Sequence, residues 1–231
     1  MDFSRFTTIS FDCYGTLIDW EAGILPALRA VLRNHKCELS DSAILELYGE
    51  LEAAAESGVY QSYRAVLGAV VRGFAARFDF VASADEIRSL GKSVASWPAF
   101  ADTVAALRAL ETRFKLVVIS NIDDDLFKAT QRRLGVEFAE VITAEQAGSY
   151  KPSLNNFRMS LERVGISPDQ LLHAGQSVYH DVVPARSLGI STVWVNRRSA
   201  RPGIGAVRAV EGRADLEVAD LKSLAEIALG G

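Results

Sequence analysis

The sequence predicts an α/β protein: a doubly wound parallel sheet with an all-helical segment inserted after its first strand. Three features point to it. Short apolar runs bounded by turn formers recur at 7–11, 115–120, 171–174 and 192–195, the pattern of strands buried on both faces. Between the second and the last of these, helical and strand patterns alternate, which implies βαβ crossovers and a parallel sheet covered by helices. The stretch 20–97 instead carries apolar residues three and four apart and no strand pattern.

In chain order, the run 7–11 is the first strand. Three amphipathic patterns follow, Ile24-Leu25-Leu28-Val31-Leu32, Ile44-Leu45-Leu47-Tyr48-Leu51 and Tyr63-Val66-Leu67-Val70-Val71-Phe74. A helical block at this point is most simply a cap lying over the carboxyl edge of the sheet, where ligands of doubly wound folds bind. Trp97-Pro98 marks the return to the core, since proline limits helical continuation. The expected division is therefore 1–15 and 98–231 for the core and 16–97 for the cap. After the strand at 115–120 come a helix at 126–134 stopped at Gly135, a short strand at 141–143 and a helix at 155–164 stopped at Gly165. Then follow the strand at 171–174, a helix at 182–188 stopped at Gly189, and the strand at 192–195.

A chain of 231 residues, 49% of them apolar, is long enough for one full core plus a small accessory unit. Its net charge of −4, with both signs interspersed, excludes the basic stripe that a nucleic-acid or anionic membrane partner requires. No apolar run approaches the roughly 18 residues of a membrane span, and the N-terminus lacks a signal-peptide pattern, so a cytoplasmic protein is expected. Cys13 and Cys37 show no CxxC or Cys/His spacing; neither a disulfide framework nor a zinc site is indicated, and Cys13 reads as a reduced, buried thiol.

Asp12 follows the first strand and precedes Gly15, in FDCYGTLID. Its carboxylate is expected at the carboxyl edge of the sheet, a costly position for a charge without partners. Three other segments supply partners from predicted strand ends: Ser120-Asn121, Lys151-Pro152 and the stretch from Gly175 to Asp181. Taken singly, these residues read as caps, turns or surface charges. Their joint occurrence in consistent order points to covalent catalysis, in which a carboxylate attacks an electrophilic centre and water hydrolyses the intermediate. Lys151 would keep Asp12 ionised, and Ser120 with nearby backbone N–H groups would bind the departing anion.

FDCYGTLID, SNID (120–123), SYKP (149–152) and GQSVYHD (175–181) resemble the four motifs of the haloacid dehalogenase-like hydrolase superfamily, and the helical insertion resembles its cap. The resemblance implies a Rossmann-like core, with Asp12 as nucleophile, Thr16 beside it, and Ser120, Lys151 and Asp181 from the second, third and fourth motifs. It also implies homodimers. Most members are magnesium-dependent phosphotransferases with a second Asp two residues after the nucleophile and an acidic residue after the glycine of the fourth motif. This chain has Tyr14 and Gln176 there, two losses of anionic oxygen that argue against a metal. No cofactor is expected. The Asp-x-Tyr-Gly-Thr-Leu motif is similar to type II 2-haloacid dehalogenases, which need no metal, and implies a small carboxylic acid substrate with Tyr14, Thr16, Asn121, Gln176 and Ser177 around it. Their halide-binding cap arginine has no counterpart at 48–54, Phe157 replaces a tyrosine, and the Asn of their fourth motif is missing. Arg64 in the cap is the candidate replacement cation, against a solvated helix residue as the alternative. DCYGTLIDWE, SNID, GSYKPxxNNF and SxYHD resemble most closely azetidine-2-carboxylate hydrolase-type members, which open a strained ring amino acid. A phosphatase and a non-catalytic small-carboxylate binder complete the alternatives.

Four further features are weighed. His180 either assists Asp181 or bonds to backbone at a helix start; His173, on a strand, reads as a core histidine, and His35 as exposed. Asp123 to Asp125 cap a helix and complement its dipole. The arginines of 197–205 read as solvated in a surface loop.

Overall fold

In the computed structural model, described for residues 1–197, 206 and 211–230, the chain divides into two compact units. The sheet unit takes 1–19, 99–197 and 211–230; the helical unit takes Trp20–Pro98 together with Ala206. The boundary falls four residues later than the sequence predicts. Residues 16–18 stay with the sheet unit because Gly15 N donates to Ile18 O and Ile18 bridges both Tyr14 and Ala99, forming a small flap.

The sheet unit contains β1 (Thr8–Phe11), and the helical unit α1 (Trp20–Asn34), α2 (Asp41–Glu56), α3 (Tyr63–Arg77) and α4 (Ala84–Ser93). The sheet unit continues with α5 (Thr103–Leu110), β2 (Lys115–Ser120), α6 (Asp124–Leu134), β3 (Glu140–Thr143), α7 (Ala144–Ala147), α8 (Leu154–Val164) and β4 (Leu171–Gly175). It ends with α9 (Val183–Ser187), β5 (Ser191–Val195), β6 (Leu216–Val218) and α10 (Leu221–Leu229). All strand pairs are parallel, in the order β3-β2-β1-β4-β5-β6. β1 is central, and the winding reverses between it and β4, so the switch point lies at their carboxyl ends. β1 and β4 are buried along their whole length. Apolar strand residues such as Val117, Ile119, Ile142 and Leu171 pack with Phe157 of α8 and Ala185 of α9 into one cluster.

The strand expectations hold to within a residue, and β6 is the strand not anticipated: three residues at the edge, too short for a period to show. The predicted glycine stops are present, Gly135, Gly165 and Gly189 all lying at positive φ. The reading of 182–188 as one helix is corrected. A π-helical turn, Val178–Val182, precedes α9, with the amides of Asp181 and Val182 both directed at Ser177 O. The helical unit has a fourth helix, α4, beyond the three patterns. It is only ten residues long and is fixed by a Ser83–Glu86 capping box rather than by a long apolar stripe. Trp97 packs against α1 at Gly23, where a Cβ would lie 2.1 Å from the indole. No helix among the described residues is long and apolar enough to cross a membrane.

Candidate active site

Asp12 continues β1 by one residue, its amide donating to Ala174 O of β4, so its side chain emerges at the switch point. Lys151 Nζ lies between two carboxylates, 2.8 Å from Asp12 Oδ1 and 2.6 Å from Asp181 Oδ1, and donates also to Ile119 O at 2.9 Å. Thr16 Oγ1 donates to Asp12 Oδ2 at 2.7 Å while accepting from Gln176 N. The flap thus joins the first motif to the fourth. Asp181 is brought close by Gly175, where a Cβ would stand 2.5 Å from the Asp181 side chain, and its Oδ2 accepts from Ser177 N.

Burial separates the roles of the two carboxylates. The Asp12 side chain keeps 12% of its surface exposed, whereas those of Asp181 and Lys151 keep 1%. Asp12 is the group within reach of a substrate, and Asp181 stands behind Lys151 as its counter-ion. Burial pushes the Asp12 carboxyl up from its ordinary value, against the pull of Lys151. For Asp181 burial is outweighed by Lys151 and His173, which hold it well below the usual carboxylate range. Burial likewise disfavours the Lys151 ammonium, but the two carboxylates more than offset it and hold its pKa above the ordinary value. The ammonium is therefore a fixed positive charge against Asp12.

Ser120, at the carboxyl end of β2, is fully buried, and its hydroxyl has no hydrogen-bond partner among the described residues. An unsatisfied buried hydroxyl costs about 1–3 kcal/mol.

Other residues expected to touch substrate are engaged structurally. Asn121 uses both ends of its amide on the Lys151 backbone, accepting from Lys151 N at 2.7 Å and donating to Lys151 O at 3.1 Å. Ser177 Oγ caps the π-turn by accepting from His180 N and also lies 3.2 Å from His180 Nδ1. The Gln176 backbone carries bonds from Trp194 Nε1 and to Thr16, and its side chain is half-buried. The Tyr14 hydroxyl meets Thr130 Oγ1 of α6 at 2.8 Å, and burial pushes its pKa well up. Asp123 is the N-cap residue of α6, with Asp124 and Asp125 in its first turn, as the dipole reading anticipates. Arg64 sits on α3 beside Gly91 of α4, in the helical unit.

Two residues were underrated by the sequence reading. Arg197 is not solvated: it forms a two-pronged ion pair with Asp102, donates to Thr16 O at 2.8 Å and stacks on Phe100. Residues 198–205 of the expected loop lie outside the described residues. His173 is buried as expected of a core histidine, but it also contacts Asp181. The available signal was polar pairing: Ser10 and His173 are polar residues in apolar strands, and they stand in register across β1 and β4.

The residues present do not fit a magnesium ion. Asp12 and Asp181 both direct Oδ1 at an ammonium, and their other oxygens accept from Thr16 and Ser177.

A family model described as haloacid dehalogenase-like hydrolase matches residues 6–189. Glyceraldehyde 3-phosphate phosphatase of Methanocaldococcus jannaschii is 40% identical over 65 residues, 27% of this chain and 28% of that protein. Phosphoserine phosphatase of Thermus thermophilus is 30% identical over 131 residues, 55% of this chain and 50% of that protein. The chain thus spans half or less of the length of these relatives. Among solved structures, the L-2-haloacid dehalogenase from Xanthobacter autotrophicus superposes with a TM-score of 0.82 at 18% identity, covering 97% of this chain and 99% of that one, a likeness of fold. With the family model matching most of its length, the chain belongs to the haloacid dehalogenase-like hydrolases.

Proposed function

We propose that this hydrolase acts without a metal on a small 2-substituted carboxylic acid, through an ester on Asp12. An Asp12 carboxylate oxygen attacks the substituted carbon, and the bond to the leaving group breaks with its electron pair. Water then adds to the Asp12 carbonyl carbon. The acyl C–O bond breaks, the 2-hydroxy product departs with one proton of the water, and Asp12 is restored as the other proton leaves. Lys151 balances the charge on Asp12, and the Ser120 hydroxyl is a donor for the departing anion.

The observation that carries this reading is Tyr14. Phosphate-ester hydrolysis needs a proton donor for the leaving alcohol, and the residue that would supply it is a half-buried phenol bonded to Thr130. Support for carbon over phosphorus also comes from the committed oxygens of Asp12 and Asp181.

A second reading within the same chemistry is the opening of a strained cyclic amino acid, where the leaving nitrogen stays tethered and takes up a proton. It is favoured by Phe157, which puts a ring edge-on to His173 at 5.0 Å and no hydroxyl where the dehalogenases carry a tyrosine. One panel tests both. 2-Haloacids, azetidine-2-carboxylate and a generic phosphate ester are assayed with and without chelator. Chelator-insensitive turnover of a carbon substrate, abolished by Asp12→Asn, is expected; magnesium-dependent phosphate release as the sole activity would overturn the reading.

A further inference from the structure

His173 is a buried titratable group beside the site to which the mechanism above gives no task. It is fully buried at the third position of the β1–β4 pairing register, and each ring nitrogen has a polar partner: Nδ1 lies 2.8 Å from Ser10 Oγ and Nε2 3.2 Å from Asp181 Oδ1. Asp181 Oδ1 is also the oxygen that receives Lys151 Nζ. The polar chain therefore runs from Ser10 through His173, Asp181 and Lys151 to Asp12, and every link before the nucleophile is buried. A carboxylate can only accept, so Nε2 carries the proton that joins His173 to Asp181. In the neutral ring Nδ1 is then the acceptor, and the Ser10 hydroxyl donates to it.

We infer that His173 is a positioning residue: its Nε2–H fixes the Asp181 oxygen that holds Lys151 Nζ against Asp12. Without that bond the Asp181 carboxylate keeps, among the described residues, only Ser177 N and Lys151 as partners. It is then free to rotate and draw the ammonium off the nucleophile. Phe157, edge-on to the imidazole, and the Ser10 hydroxyl set the plane of the ring.

The inference deepens the proposed use of Asp12, and two substitutions separate positioning from mere polarity and bulk. The amide nitrogen of Gln reaches about as far as Nε2, whereas that of Asn reaches only about as far as Nδ1. Azetidine-2-carboxylate and 2-chloropropionate serve as probes, and the Asp12 ester is followed by rapid quench and intact mass. His173→Asn is expected to slow ester formation about tenfold or more with little change in KM, and His173→Gln to stay within about threefold of the parent. Equal rates in the two variants, or changes confined to KM, overturn the inference. A readout independent of turnover keeps it decidable if neither probe reacts with the parent, an outcome that counts against the proposed function alone. In long-range nitrogen–proton NMR spectra His173 is expected to be protonated at Nε2, with that signal displaced in Asp181→Asn. An unprotonated Nε2, or a signal indifferent to Asp181→Asn, overturns it.

Discussion

Replacing Lys151 with methionine is the sharpest perturbation of the buried charge cluster. Nζ makes two charged contacts, 2.8 Å to Asp12 and 2.6 Å to Asp181. At an effective dielectric near 20 each is a gross attraction of about 6 kcal/mol. Most of that is spent on keeping three charges out of water, so the net worth of the intact cluster is small. Removing one member is different, because the desolvation cost of the remaining carboxylates stays while their partner goes. The Lys151→Met protein should lose about 3–5 kcal/mol, a fall of roughly 10 °C in midpoint for a chain of this size. The deficit has a pH signature. Without the ammonium, both carboxylates take up protons more readily in the folded state than in the unfolded chain, and protonation relieves their repulsion. The gap from the parent should therefore narrow as pH falls from about 7 to 5. Thermal unfolding of both proteins across that range checks this. A midpoint within about 2 °C of the parent at pH 7, or a gap that widens on acidification, would refute the reasoning.

Two further outcomes follow from the same structure. Glu52 of α2 is buried and accepts from the hydroxyls of Tyr48 and Tyr63, and burial pushes its carboxyl up to about 7, against those two bonds. A raised carboxylate favours the folded state at low pH and loses that advantage as pH climbs from about 4.5 to 7. This one group should lower stability by about 3 kcal/mol across the window. Glu52→Gln should remove that slope, as denaturant unfolding at pH 5 and pH 8 will show; an unchanged slope counts against it. Arg197→Met leaves the half-buried Asp102 carboxylate with only Leu221 N of its partners among the described residues and frees the Thr16 carbonyl. It should cost about 3 kcal/mol and slow Asp12 ester formation, whereas an unaffected rate would separate the clamp from the nucleophile.

The strands and the gathering of Asp12, Lys151 and Asp181 were legible because they depend on short-range pattern: apolar runs followed by a carboxylate, an Asn, a Lys-Pro and a turn that begins with Gly. The sixth strand and α4 were not, since three edge residues and a ten-residue helix carry too little periodicity to stand out. The roles of Asn121, Ser177, Arg197 and His173 depend on which strand lies beside which. Asn121 reads as a substrate contact until β3, paired beside β2, brings the third-motif lysine that follows it against the end of β2. Arg197 reads as solvated because its partners, Asp102 and the Thr16 carbonyl, are far away in sequence. Tyr14 was informative at both levels, as the absence of an acid in the sequence and as a phenol held by Thr130 in the fold.

The central claim is that Asp12 bonds covalently to carbon and that water attacks the aspartyl carbonyl instead of the substrate. A single turnover in ¹⁸O-labelled water, with enzyme in excess over the carbon substrate that the panel identifies, tests it directly. The account predicts unlabelled product and one heavy oxygen in the peptide that contains Asp12. Label in the product after one turnover, with the Asp12 peptide unchanged, would contradict it.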